Sequence, residues 1–195
     1  VLRAVRFATV LDFEIDPATQ RGAQAALPVL RQVSAERIQS ELFKILQSAN
    51  VMTGLRLIKD FGIAEVCLPE LPELPEAGWK HLIKAIDHIQ SDVITSLTLI
   101  FHAYQKHIHW SKLEFATQVK STLKRLKVNN RVLSEILHLI TFTALDPMDT
   151  RSDAQIRALA SEIGIEALDQ VWAYHEAWLR SSVPSDQVSQ LLSAW

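Results

Sequence analysis

Apolar positions along this chain recur three and four residues apart rather than two, which predicts helices and leaves little room for strands. In "AERIQSELFKILQ", for example, Ile38, Leu42, Ile45 and Leu46 fall on one helical face. A first helix is predicted over residues 1–11, ended by a turn at Asp12–Ile15, where Phe13 and Ile15 can bury as a small staple. Asp16-Pro17 is a start signal, with Asp as N-cap and Pro at the first helical position, for a second helix reaching about Leu30. A third begins near Ser34, whose hydroxyl is placed to cap it. A fourth runs from Val51 to Phe61 and stops at Gly62, the favoured residue just past a helix end. The proline-rich "CLPELPELPEAG", Cys67–Gly78, cannot be regular helix and is the best domain boundary. Further helices are expected at 79–90, 92–107, 111–127, 130–143, 152–162, 164–181 and 184–194. The fold class is therefore all-α.

Composition adds limits. The 195 residues are 48% hydrophobic and 22% charged, which suits a globular protein able to bury a real core. No apolar run is long enough to cross a membrane, so no membrane partner is expected. The single cysteine, Cys67, excludes an internal disulfide and any cysteine-based metal site, and a reducing cytoplasm is the natural compartment. Net charge is −2, so overall charge does not announce a nucleic-acid partner. Its distribution says more. Residues 111–131 hold Lys112, Lys120, Lys124, Arg125, Lys127 and Arg131 against one acid, Glu114, while 61–110 and 151–195 are each net acidic.

Four constellations could carry chemistry. "DFEID" alternates Asp12, Glu14 and Asp16 as metal-binding carboxylates on a strand would, but it is too short for a strand here and reads as a surface turn. The histidines His81, His88, His102, His107, His109 and His138 include an "HIH", yet none has zinc-protease spacing, and no metal site is assigned. Lys120, Lys124, Lys127 and Arg131 recur at i, i+4, i+7 and i+11 and would share a helix face, with Val119, Leu123 and Leu126 packing inward. Such a stripe can follow a phosphate backbone or simply face water. Arg37 and Glu41 are four apart and can pair, beside Glu36. No Gly-rich phosphate loop or Ser/His/Asp set occurs. Residues alone describe a helical cytosolic protein, a non-enzymatic RNA- or protein-binding module among the readings.

"LRAVRFATVLDFEIDPAT" (Leu2–Thr19) followed by "VSAERIQSELFKIL" (Val33–Leu46) resembles the neck of bacterial class II tRNA nucleotidyltransferases (CCA-adding enzymes) and poly(A) polymerases. Members read R-A-x-R-F-A, then L-x-F-x-I-x-x-x-T, then E-R-I-x-x-E-x-x-K-x-L. "LIKDFGIAEVCLPEL" (Leu57–Leu71) is similar to the segment closing that neck. The resemblance implies a neck over 1–71 and an elongated helical body and tail over 72–195. The intact enzyme would add CCA, CC or A to tRNA 3′ ends, or poly(A) to RNA, by transfer dependent on magnesium, with ATP and CTP as nucleotides. The magnesium ligands and the Gly-Gly and D-x-D motifs belong to an N-terminal head domain absent from this sequence. The base-reading E-D-x-x-R motif would lie directly before Val1.

By the same resemblance, Arg3 and Arg6 are nucleotide-binding candidates on the neck helix. Glu36, Arg37 and Glu41 form a structural neck motif. Lys120, Lys124, Lys127 and Arg131 are RNA-binding candidates by inference from charge. No catalytic or metal residue is expected, and the chain alone is expected to be inactive. The expected partners are tRNA or another RNA 3′ end and the head domain, not DNA. A poly(A) polymerase is the alternative within the family. "WKHLIKAIDHI" and "LTLIFHAYQK" are faintly similar to a phosphohydrolase of the H…HD…D type, but Ala103 stands where its Asp would be.

Overall fold

A computed structural model describes residues 1–69, 71–143, 164–184 and 187–189, with isolated positions 154, 157, 158 and 161. Among them every regular element is helical: α1 (Leu2–Leu11), α2 (Pro17–Ala25), α3 (Leu27–Leu30), α4 (Ala35–Leu46), α5 (Val51–Asp60), α6 (Ala64–Cys67), α7 (Glu76–Ile86), α8 (Val93–His107), α9 (Lys112–Arg125), α10 (Asn130–Thr143) and α11 (Ile165–Ser182). The helices expected at 152–162 and 184–194 lie mostly outside the described residues.

The helix starts follow local chemistry. Asp16 accepts from the Ala18 and Thr19 amides, Asp92 from those of Ile94 and Thr95, and Ser111 with Glu114 closes a reciprocal capping box. Ser34 stands at the N-cap of α4, but its hydroxyl makes no capping bond, contrary to expectation. The helix predicted to reach Leu30 is broken at Ala26. Pro28 lacks the amide that would continue the ladder, and a short turn of helix follows.

Three helices end in the same way. After α5, Gly62 takes φ 70°, its amide bonds Lys59 O and the Ile63 amide reaches back to Ile58 O. This is the Schellman arrangement, and it buries Ile63 completely. Asp12 (φ 56°) and Lys127 (φ 55°) do the same without glycine, with Phe13 bonding Ala8 O and Val128 bonding Leu123 O. Val128 is buried by its turn, whereas Phe13 is left 62% exposed, so the predicted Phe13–Ile15 staple does not form.

α8 is the centre of the packing. Every residue from Ser96 to Tyr104 is buried, so the helix has no water-facing side over that stretch. It is covered by α4, α7, α10 and α11, and the Ser96 hydroxyl is satisfied by Leu46 O at 3.2 Å. At the other end α1 packs on α4 and α5. There a Cβ on Gly54 would stand 2.4 Å from Ile45 Cγ2 and 2.9 Å from Thr9 Oγ1, so α5 approaches this closely only with glycine. One hydrophobic cluster runs from Leu2 through Leu68, Leu71 and Leu74 of the proline-rich segment to Trp178, so the core is continuous across that segment.

α11 packs on α7 and α8 through rings. His102, buried, meets Tyr174 and Trp178 edge-on at centroid distances of 4.9 and 4.4 Å. His81 meets His107 nitrogen to nitrogen at 3.2 Å and lies edge-on to Trp178. Burial first, then Lys106 and His175, hold His102 well below the ordinary imidazole range; burial and then His107 lower His81. Both rings thus take a proton less readily when folded than when unfolded, where an imidazole protonates near pH ~6.5. The unfolded chain binds more protons in that window, so stability is full above it and falls as pH drops below it. Denaturant melts between about pH 7 and 5 should show this loss, and His102→Phe should remove up to ~1.4 kcal/mol per pH unit of the slope. An unchanged slope in that variant would show that His102 does not supply it.

Candidate functional site

The sequence candidates fall on two separate surfaces. The first lies between the start of α1 and α4. Arg3 and Arg6 project from consecutive positions of one helical stripe, and the guanidiniums lie 5.4 and 4.1 Å from the Phe7 ring centroid. Arg6 is then fixed across to α4, with its Nε donating to Glu41 Oε2 at 2.6 Å. Both partners are largely buried, with side chains 17% and 24% exposed, and Lys44 stands 3.9 Å from the second Glu41 oxygen. Glu41 is therefore committed to Arg6 rather than to Arg37, correcting the expected Arg37–Glu41 pair. The physical reason is geometric: α1 lies directly against α4, and a charge-assisted bond sheltered between helices outweighs an exposed i, i+4 pair.

That choice leaves Arg37 exposed on the rim of a groove of about 240 Å³, which Arg3, Leu30, Val33, Ser40 and Glu41 also line. Glu36 is exposed beside it. The structure thus brings Arg3, Arg37 and Glu41 to one concavity, with Arg6 behind Glu41. Two cations against one carboxylate already held by Arg6 make the groove suited to an anionic group.

The second surface is the basic segment. Val119, Leu123 and Leu126 are fully buried, as their spacing predicted, and Lys120 and Lys124 are exposed on the opposite side of α9. The four-residue stripe does not continue as one helical face. α9 ends at Arg125, Lys127 turns into the left-handed region, and Arg131 belongs to the first turn of α10. Helical spacing therefore relates Lys120 to Lys124 but not to Lys127 or Arg131. Arg131 also donates to Glu135 at 2.8 Å, which offsets its charge.

Two residues in this region carry roles that spacing could not disclose. Arg125 donates to the Cys67 carbonyl, tying α9 to the proline-rich segment. Gln39 on α4 donates to the Lys127 carbonyl at 3.2 Å, so the turn carrying Lys127 is held by the α4 side of the molecule. His175, buried against Tyr174, was not singled out either, because nothing in its neighbourhood distinguishes it before α11 is packed.

Among the described residues no three His, Cys, Asp or Glu side chains converge. No helix among them is long and apolar enough to cross a membrane.

If the Arg6–Glu41 bond fixes α1 on α4, Arg6→Ala and Glu41→Ala should each destabilise the chain. Their double-mutant cycle should give a coupling of about 1 kcal/mol or more, and additive effects would show that the contact is energetically idle.

The chain resembles known proteins over part or nearly all of its length. A family described as "Probable RNA and SrmB- binding site of polymerase A" matches residues 12–74. A CCA-adding enzyme of Lactococcus lactis subsp. cremoris (strain MG1363) is 28% identical over 152 residues, covering 76% of this chain and 34% of that protein. A CCA-adding enzyme of Streptococcus suis (strain 05ZYH33) is 27% identical over 198 residues, covering 99% of this chain and 45% of that protein. The same architecture occurs in a CCA-adding enzyme solved with CTP, with TM-score 0.61 and 16% identity over 99% of this chain and 45% of that one. The chain spans between a third and a half of the length of these relatives. Residues 12–74 thus match a family of polymerase A RNA-binding segments, and the chain as a whole is similar in sequence and in architecture to part of the CCA-adding enzymes.

Proposed function

We propose that this chain is the RNA-gripping part of a CCA-adding tRNA nucleotidyltransferase. The observation that carries the reading is the match along 99% of the chain to a CCA-adding enzyme, in sequence and separately in fold. A poly(A) polymerase of the same family is the second reading, favoured by the description of the family that matches residues 12–74.

In this reading the two surfaces divide the work. Lys120, Lys124 and Lys127 meet RNA phosphates without regard to sequence, and each contact releases counterions. Arg131, already paired with Glu135, adds less. At the neck, Arg6 acts through Glu41 to hold α1 against α4, while Arg3, with Arg37 across the groove, faces the phosphates of ATP or CTP or the RNA end. The transfer step itself needs metal ligands, and no step is assigned to the described residues. Those ligands would belong to the remaining part of the protein. The exposed apolar residues Phe7, Val10 and Leu11 on the outer side of α1 offer that part a place to pack. The work would be cytoplasmic, where tRNA is processed.

Two outcomes test this. Lys120→Glu combined with Lys124→Glu should weaken tRNA binding about tenfold or more at moderate salt and reduce the slope of log K against log salt by roughly 1.5. Unchanged affinity and slope would reject the α9 face. Incubated alone with tRNA, CTP, ATP and magnesium, the chain should extend no 3′ end in a gel assay, and any incorporation would refute the assignment of the chemistry to the rest of the protein.

A further inference from the structure

A concavity of about 530 Å³ opens between the segment leading into α4, α6 and the end of α9. Its residues join the two surfaces described above. Val33 lines both this concavity and the groove that carries Arg3 and Arg37, so the two meet at Val33. At the other end stands Arg125 of α9, fixed on the Cys67 carbonyl. Gln39, the neighbour of the lining residue Ile38, holds the Lys127 carbonyl at 3.2 Å. The turn carrying Lys127 therefore stands at the α9 edge, and Lys124 and Lys120 follow from it along that helix.

Arg31 marks the path between them. It lines the concavity, is exposed, and makes no side-chain hydrogen bond or ion pair among the described residues. Arg6, Arg125 and Arg131, by contrast, are each bonded to an acceptor within the protein. An exposed guanidinium beside a groove is free to take an anion. Beneath it the floor is apolar, with Ile38 and Val66 both buried, and Glu65 stands on the α6 side.

We infer, on the reading of this chain as an RNA grip, that the groove carries one RNA strand from the α9 lysines to the neck groove, with Arg31 taking a phosphate on the way. Its size falls among clefts of about 300–1,000 Å³ that enclose a small ligand, which suits a short stretch of single strand rather than a duplex. Glu65 repels phosphate from the α6 side and so keeps the backbone toward Arg31. The apolar floor receives the faces of the bases, which every base possesses. Because the described lining offers a cation and apolar side chains, the strand is held without regard to its sequence.

Binding of the 195-residue chain to a tRNA transcript tests this. Arg31→Gln should weaken binding about three- to fivefold at moderate salt and lower the slope of log K against log salt by roughly 0.7, the share of one single-strand phosphate. Arg31→Lys keeps the charge and should keep most of that slope. Arg31 is exposed, so thermal melts should be unchanged in both variants. Arg56→Gln, exposed on α5 and lining neither groove, should bind as the wild type does. Crosslinking reads the placement. Cys67 is the single cysteine and is buried, so Arg31→Cys offers an exposed thiol for a photoreactive label. Its crosslink should fall in the RNA between those from Arg37→Cys and Lys120→Cys. Wild-type binding by Arg31→Gln, an equal loss in Arg56→Gln, or an Arg31→Cys crosslink that is absent or outside that interval overturns the path. If Lys120→Glu with Lys124→Glu still weakens binding, the RNA grip itself stands; if no variant weakens it, both fall.

Discussion

The packing of this protein turns on a helix that cannot face water. Between Ser96 and Tyr104 the side chains of α8 include Leu97, Leu99, Ile100 and Phe101, all buried, and each is worth about 1.5–3 kcal/mol when removed from water. Satisfying every side at once requires cover from four directions, which α4, α7, α10 and α11 provide. Polar residues survive inside this environment by special arrangement: Ser96 bonds a carbonyl of α4, and His102 stands neutral between Tyr174 and Trp178. The acid sensitivity expected of the fold follows from that second arrangement, because burial, Lys106 and His175 all oppose a proton on that ring.

The same core decides which charges remain available at the surface. Arg6 and Arg125 are both spent on holding elements together, one through Glu41 and the other through the Cys67 carbonyl. Arg3, Arg37, Lys120 and Lys124 stay exposed. A count of basic residues treats these groups alike, but desolvation separates them. A guanidinium sheltered between helices must have a partner, while an exposed one can wait for an anion.

Much of the fold was legible in the chain. The start signal Asp16-Pro17, the stop at Gly62 and the inward face of Val119, Leu123 and Leu126 all act within a few residues, and each appears where the pattern placed it. The neck motifs likewise pointed to the likeness to CCA-adding enzymes before any coordinates. Of the candidate site, the exposure of Lys120 and Lys124 could be read from spacing, because the opposite face is plainly apolar.

What the sequence determined by itself was therefore local: that the chain is helical, where most helices begin, and which face of each is apolar. Tertiary structure decided the rest. Lys127 takes a left-handed conformation that ends α9 because Val128 must reach the core, and no glycine advertised that turn. Glu41 chose Arg6, thirty-five positions away, over its helical neighbour Arg37 because α1 lies against α4. His175 gained significance only once α11 packed against the core. Each of these outcomes depends on which surfaces lose water together, and that is a property of the assembled core rather than of any short stretch of chain.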